Sequence, residues 1–175
     1  MTYEKYEPTK DIVFTNCLFK RRGGIDEVLA IFTSNSYNGV HSTVEDVSVN
    51  GCTFICEEDP VYDSSPYLIM ITNPTCYNIK FNNCMITHNK VAQAIFKTKP
   101  GTNNTGDNPN TVEINNCKIY ALGVCDNSET KRVFFHEDCK NVFRVRGCSI
   151  NIDADVMLGN DTIFMNSVIT SSSNV

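Results

Sequence analysis

Six segments of this 175-residue chain can be laid over one another without a gap. They are IVFTNCLF from Ile12, VSVNGCTF from Val47, IKFNNCMI from Ile79, VEINNCKI from Val112, FRVRGCSI from Phe143 and TIFMNSVI from Thr162. All follow one template: apolar, x, apolar, x, Asn or Gly, Cys (Ser in the last copy), x, apolar. Successive starts lie 35, 32, 33, 31 and 19 residues apart, a period that signals a repeat architecture. Alternation within each copy has period two, and Val, Ile and Phe fill the apolar positions, so each copy reads as strand.

Before the Cys column stand Asn16, Gly51, Asn83, Asn116, Gly147 and Asn166. Asn and Gly are the residue types that tolerate left-handed backbone, which predicts a tight bend in every copy. Past the bend, Cys17, Cys52, Cys84, Cys117 and Cys148 are expected to face inward as one stacked column. Phe19, Phe54, Ile86, Ile119, Ile150 and Ile169 are expected to form another. A further strand precedes most motifs: VLAIFTS from Val28, YLIMITN from Tyr67, AQAIFKT from Ala92, RVFFHED from Arg132 and DVMLGND from Asp155. Each coil thus has three short strands, and loops rich in Gly, Pro, Asn and Asp absorb the unequal spacing. The expected organisation is an N-terminal extension over 1–10, a solenoid over 11–170 and a tail over 171–175.

This pattern resembles the right-handed parallel β-helix of pectate-lyase-like proteins, including phage tailspikes. The resemblance rests on the NNC-type bend, and it implies that Asn16, Asn83, Asn116 and Asn166 form an internal asparagine ladder interrupted by Gly51 and Gly147. It implies an all-β solenoid of about five to six coils, whereas proteins of this shape serve as lyases, hydrolases, adhesins and inert shafts.

Composition narrows the function. Fifteen Lys and Arg against 20 Asp and Glu give a net charge of -5, which disfavours a nonspecific grip on nucleic acid. No stretch approaches the roughly 18 apolar residues of a membrane span, and MTYEKYEPTK lacks the apolar core of a secretory signal. Nine cysteines without a signal peptide read as reduced thiols in a reducing cytoplasm. His41, His88 and His136 lack ligand-like spacing, so no metal or other cofactor is expected. Cys56 and Cys125, placed in loops, are expected to be the first thiols to meet a reagent.

The outward columns carry the candidate chemistry. Lys80, Glu113 and Arg144 alternate in sign along one column, while Asn50, Asn82 and Asn115 stack along the next, where amides suit sugar hydroxyls. In the strand that opens each coil, an inward Phe32, Ile71, Phe96 and Phe135 places Thr33, Thr72, Lys97 and His136 in a polar column, from which Lys97 and His136 are binding candidates. The same register leaves Ile31, Met70, Ile95 and Phe134 outside as an apolar row, a homotrimer interface. Glu58, Asp59, Glu137 and Asp138 are the catalytic candidates for a glycosidase-like carboxylate pair. The expected function is a structural and receptor-recognition module of a viral or phage-like tail spike or fibre. Such a module would sit in a virion with other tail proteins and touch cell-surface glycan. The alternatives are a polysaccharide-degrading enzyme of the same fold and an intracellular scaffold.

Overall fold

The computed structural model describes residues 9–22, 29–31, 43–57, 67–73, 76–89, 94–100, 111–122, 131–136, 142–159 and 161–172. Its strands run in coils. The first coil holds β1 (Ile12–Thr15), β2 (Leu18–Arg22) and β3 (Leu29–Ile31), and the second β4 (Val44–Asn50), β5 (Thr53–Glu57) and β6 (Tyr67–Asn73). The third has β7 (Cys76–Asn82), β8 (Met85–His88) and β9 (Ala94–Pro100), and the fourth β10 (Val112–Asn115), β11 (Lys118–Ala121) and β12 (Lys131–His136). The fifth has β13 (Phe143–Arg146), β14 (Ser149–Asp153) and β15 (Val156–Met157), and the sixth β16 (Thr162–Met165) and β17 (Val168–Ser172). Every third strand joins the same sheet, giving β1-β4-β7-β10-β13-β16, β2-β5-β8-β11-β14-β17 and β3-β6-β9-β12-β15. All pairs are parallel, so the chain is a parallel β-helix.

The register of the first sheet is that of the sequence template: Ile12 pairs with Val47, Val47 with Ile79, Ile79 with Val112, Val112 with Phe143 and Phe143 with Thr162. The bend between the first two sheets is left-handed in every coil, with φ of 50–61° at Asn16, Gly51, Asn83, Asn116, Gly147 and Asn166. These six residues are exposed. Asn16, Asn83, Asn116 and Asn166 therefore do not form the internal ladder that the resemblance implies. They turn the chain, and the amide-to-amide bonds run through the preceding column instead. A second left-handed column, Asp11, Asp46 and Asn78 with φ of 57°, 56° and 52°, opens the first three copies and carries an Asn78-to-Asp46 side-chain hydrogen bond.

Phenylalanines form a spine through all six coils. Phe19 lies on Phe54 with centroids 4.7 Å apart, and contacts continue through Phe81, Phe96 and Phe134 to Phe164. Offset and edge-to-face rings add to the area that they bury.

The third sheet departs from the expected register. Phe96 pairs with Ile69 and Phe134, while Thr98 pairs with Ile71 and His136. Leu68 and Ile69, Ile95 and Phe96, and Val133 and Phe134 are consecutive residues that are all buried in one core cluster. Strict alternation breaks at that corner, and both neighbours reach the interior. Ile31, Ile95 and Phe134 are accordingly core residues, 6%, 0% and 0% exposed, and form no outer apolar row. Met70 pairs with Ala30 and Lys97, out of line with those three. Of the inward series, Ile71 and Phe96 are buried, Phe135 is only half-buried, and Phe32 and Thr33 lie outside the described residues.

Candidate functional site

The outer face of the first sheet gathers the largest set of polar candidates. Asn82 donates to the side-chain oxygen of Asn50 at 2.9 Å and Asn115 to that of Asn82 at 3.0 Å. Each is half-buried, so one edge of the amide row meets solvent. Register places Thr15 before the row and Arg146 and Met165 after it. Beside it runs the column Val13, Ser48, Lys80, Glu113, Arg144, Ile163, in which Lys80 meets Glu113 at 3.9 Å. So long and exposed an ion pair contributes little to stability. The face is a regular polar strip, one step of about 4.8 Å per coil.

Lys97 and His136 do not converge. Lys97 pairs with Phe135, and His136 with Thr98, so the two lie on opposite sides of their strands. Lys97 Nζ sits 5.0 Å from the centre of the Phe135 ring, which Arg132 also covers at 4.9 Å. His136 is buried and its Nδ1 is hydrogen-bonded to Thr98 Oγ1. Glu58, Asp59, Glu137, Asp138, His41 and Cys125 lie outside the described residues.

Two polar columns run through the interior of the second sheet. The first is the cysteine column, in which Cys52, Cys84, Cys117 and Cys148 are buried and Cys17, in the end coil, is half-buried. Its backbone amides donate to the next sulfur, from Cys84 to Cys117 and from Cys117 to Cys148, both at 3.3 Å. Ser167 closes the series by accepting from Cys148 at 3.2 Å. The thiols donate back to the carbonyls two residues earlier. The neighbouring thiols of Cys148 and Cys84, then burial, push the Cys117 thiol up, and burial raises Cys52.

The second column is Arg21, Cys56, His88, in register across adjacent coils. Cys56 is not a loop thiol. It is 0% exposed near the end of β5, where Arg21 Nη2 donates to its sulfur at 2.9 Å. Burial, and then the charge of Arg21, hold His88 down at about 3. This column lies two residues beyond Phe19, Phe54 and Ile86, so carrying the period-two alternation past the motif would have found it. Among the described residues no group of three or more His, Cys, Asp and Glu is placed to hold a metal.

Asp161 opens the last copy, at the template position of Asp46 and Asn78. It is buried, its Oδ2 has no hydrogen-bond partner, and burial pushes its carboxyl up to about 6 against the backbone amides and the Arg132 charge that favour ionisation. In the unfolded chain the carboxyl ionises near its ordinary value of 3.8. The raised folded value therefore stabilises fully below about pH 4, and that contribution is lost as pH rises through about 6. The expected outcome is that Asp161→Asn unfolds at the same urea concentration as wild type at pH 4. At pH 8 it is more stable by about 1–2 kcal/mol, less than a two-unit shift in a dry site would give. Equal stability of the two proteins at pH 8 would show that the carboxylate is well solvated.

The architecture and the polar strip are thus established on the chain's own residues. No family model matches the chain, and no curated protein and no solved structure matches it.

Proposed function

We propose that this β-helix is a structural and recognition module of the pectate-lyase-like, tailspike type: a rigid segment of a viral or phage-like spike or fibre whose outer face meets cell-surface glycan. The observation that carries this reading is the amide row Asn50, Asn82, Asn115. Asn82 uses one N–H and one lone pair along the row, Asn50 only a lone pair and Asn115 only an N–H, which leaves each amide with donors and acceptors for a ligand. Sugar hydroxyls are donors and acceptors at once, and a row with a fixed step matches a polymer that repeats its own groups. The three-sheet stack holds the row rigid, so little ordering entropy opposes binding.

Binding of the whole chain to a panel of immobilised neutral and acidic polysaccharides tests the reading. Retention on at least one is expected, with Asn82→Ala and Asn115→Ala each weakening it about five- to tenfold at unchanged β-sheet circular dichroism. Retention that ignores both substitutions, or none on any polysaccharide, overturns it. Release of reducing ends or unsaturated sugars during the same incubation would transfer the protein to the enzyme class.

A further inference from the structure

One outward column on each side of the bend changes character at the ends of the solenoid. Along Val13, Ser48, Lys80, Glu113, Arg144, Ile163, the four inner coils carry polar or charged residues and the two end coils carry Val and Ile. Along Leu18, Thr53, Met85, Lys118, Ser149, Val168, the ends are Leu and Val, and Met85 is the one apolar residue between them. The end residues are also exposed: Val13, Leu18 and Val168 at 60%, 64% and 63% are the most exposed large apolar side chains described, and Ile163 stands at 36%. Exposed edge strands ordinarily carry charge that discourages further pairing. At these two columns both edges carry the opposite, in matching positions, although β2 also bears Lys20, Arg21 and Arg22 farther from the bend.

The backbone is complementary as well. Along the bend, each coil donates to the next: Asn16 to Asn50 O at 2.9 Å, Gly51 to Asn82 O at 2.9 Å, Asn83 to Asn115 O at 2.9 Å, Asn116 to Arg146 O at 2.8 Å and Gly147 to Met165 O at 3.0 Å. One further step of this series sets the Asn166 amide against the Thr15 carbonyl of a following molecule. The return series, in which Thr53 donates to Cys17 O and so on to Val168 and Cys148 O, continues by setting the Leu18 amide of that molecule against the Ser167 carbonyl. In the same stack Val13 falls beside Ile163, and Leu18 beside Val168, at the coil spacing of about 4.8 Å.

We propose that the occupant of each end is a second copy of this chain, docked head to tail so that β16 and β17 of one molecule pair in parallel with β1 and β2 of the next. Such a contact is heterologous and open, so it generates rods of increasing length rather than a closed ring. It is independent of glycan binding.

Sedimentation velocity and light scattering of the whole chain over a wide concentration range give the test. The wild type is expected to show a ladder of masses that lengthens with concentration. Leu18→Asp and Val168→Lys, each alone, are expected to shift assembly to at least about tenfold higher concentration with β-sheet circular dichroism unchanged. An equimolar mixture of the two variants restores wild-type assembly, because the introduced carboxylate meets the introduced ammonium at one junction and the Leu18–Val168 pair is intact at the other. Val13→Asp with Ile163→Lys repeats the design on the column across the bend should either first variant not fold. A wild type that stays monomeric overturns the proposal. So does a closed oligomer of fixed mass indifferent to the four substitutions, or a mixture that fails to recover.

Discussion

Phe134→Glu is expected to abolish the cooperative fold at 25 °C. The ring is fully buried and packs against Phe96, Phe143 and Phe164 with centroids 5.6, 5.3 and 6.0 Å apart. Truncating such a residue costs about 3–5 kcal/mol, and a desolvated carboxylate without a partner adds several more. The sum is of the order of the whole stability of a domain, about 5–15 kcal/mol. Far-ultraviolet circular dichroism and a urea titration check it: the β-sheet signal is lost, whereas Phe134→Leu keeps the signal and lowers the midpoint modestly. A folded, monomeric Phe134→Glu protein would be the behaviour of a surface residue and would refute the interior placement of this corner.

Gly159→Ala is the second large effect. Gly159 has a φ of 98°, and a Cβ there would overlap the backbone oxygen of Phe134 and lie 2.9 Å from Asp161 Oδ1. The overlapped oxygen belongs to the residue whose amide donates to Leu158 O at 3.2 Å, so relief requires moving β12 itself. A loss of about 3 kcal/mol or more is expected, above the 1–2 kcal/mol of a left-handed residue alone. Gly51→Ala and Gly147→Ala serve as comparisons. Their φ is 61°, and the new Cβ meets only the side-chain oxygens of Asn16 and Asn116 at 2.6 and 2.5 Å. Those exposed amides can swing away, so each substitution should cost about 1–2 kcal/mol, chiefly backbone strain. Urea midpoints of the three alanine variants rank the sites, and equal losses would mean that the Phe134 carbonyl yields readily.

The first two sheets were legible in the sequence because each coil marks its own register. An Asn or Gly with positive φ sits at a fixed offset between two alternating runs, so a slip of one residue would put Cys and Val on the wrong face. The third sheet has no such marker. Its corner brings Ile95 and Phe96 into the core together, and a reading by strict alternation turns one of each such pair outward. Strict alternation turns Ile95 outward, and a one-residue slip, setting Phe32 in place of Ile31 opposite Ile71 and Phe135 in place of Phe134 opposite Phe96, turns Ile31 and Phe134 outward and aligns Lys97 with His136. The polar strip was legible because Asn50, Asn82 and Asn115 occupy one template column. Arg21, Cys56 and His88 escaped notice because the strands run on to Arg22 and Glu57, into segments whose polar composition reads as loop. Asp161 shares its template position with Asp11, Asp46 and Asn78, and only its burial distinguishes it.

The unequal distances between copies, 35, 32, 33, 31 and 19 residues, leave the pairing register of the first two sheets untouched. An eight-residue cassette carries what a coil presents to its neighbours in the first two sheets, and the connections between cassettes differ in length around the strand that each gives to the third. Genetically, such a chain can be lengthened or shortened by whole coils without renegotiating the rest, since each added coil meets only the one before it and the one after. Length then becomes a heritable variable separate from fold: duplication within the coding sequence extends the rod by about 4.8 Å per coil, and the surface columns can diversify coil by coil while the thiols and phenylalanines beneath them stay in line.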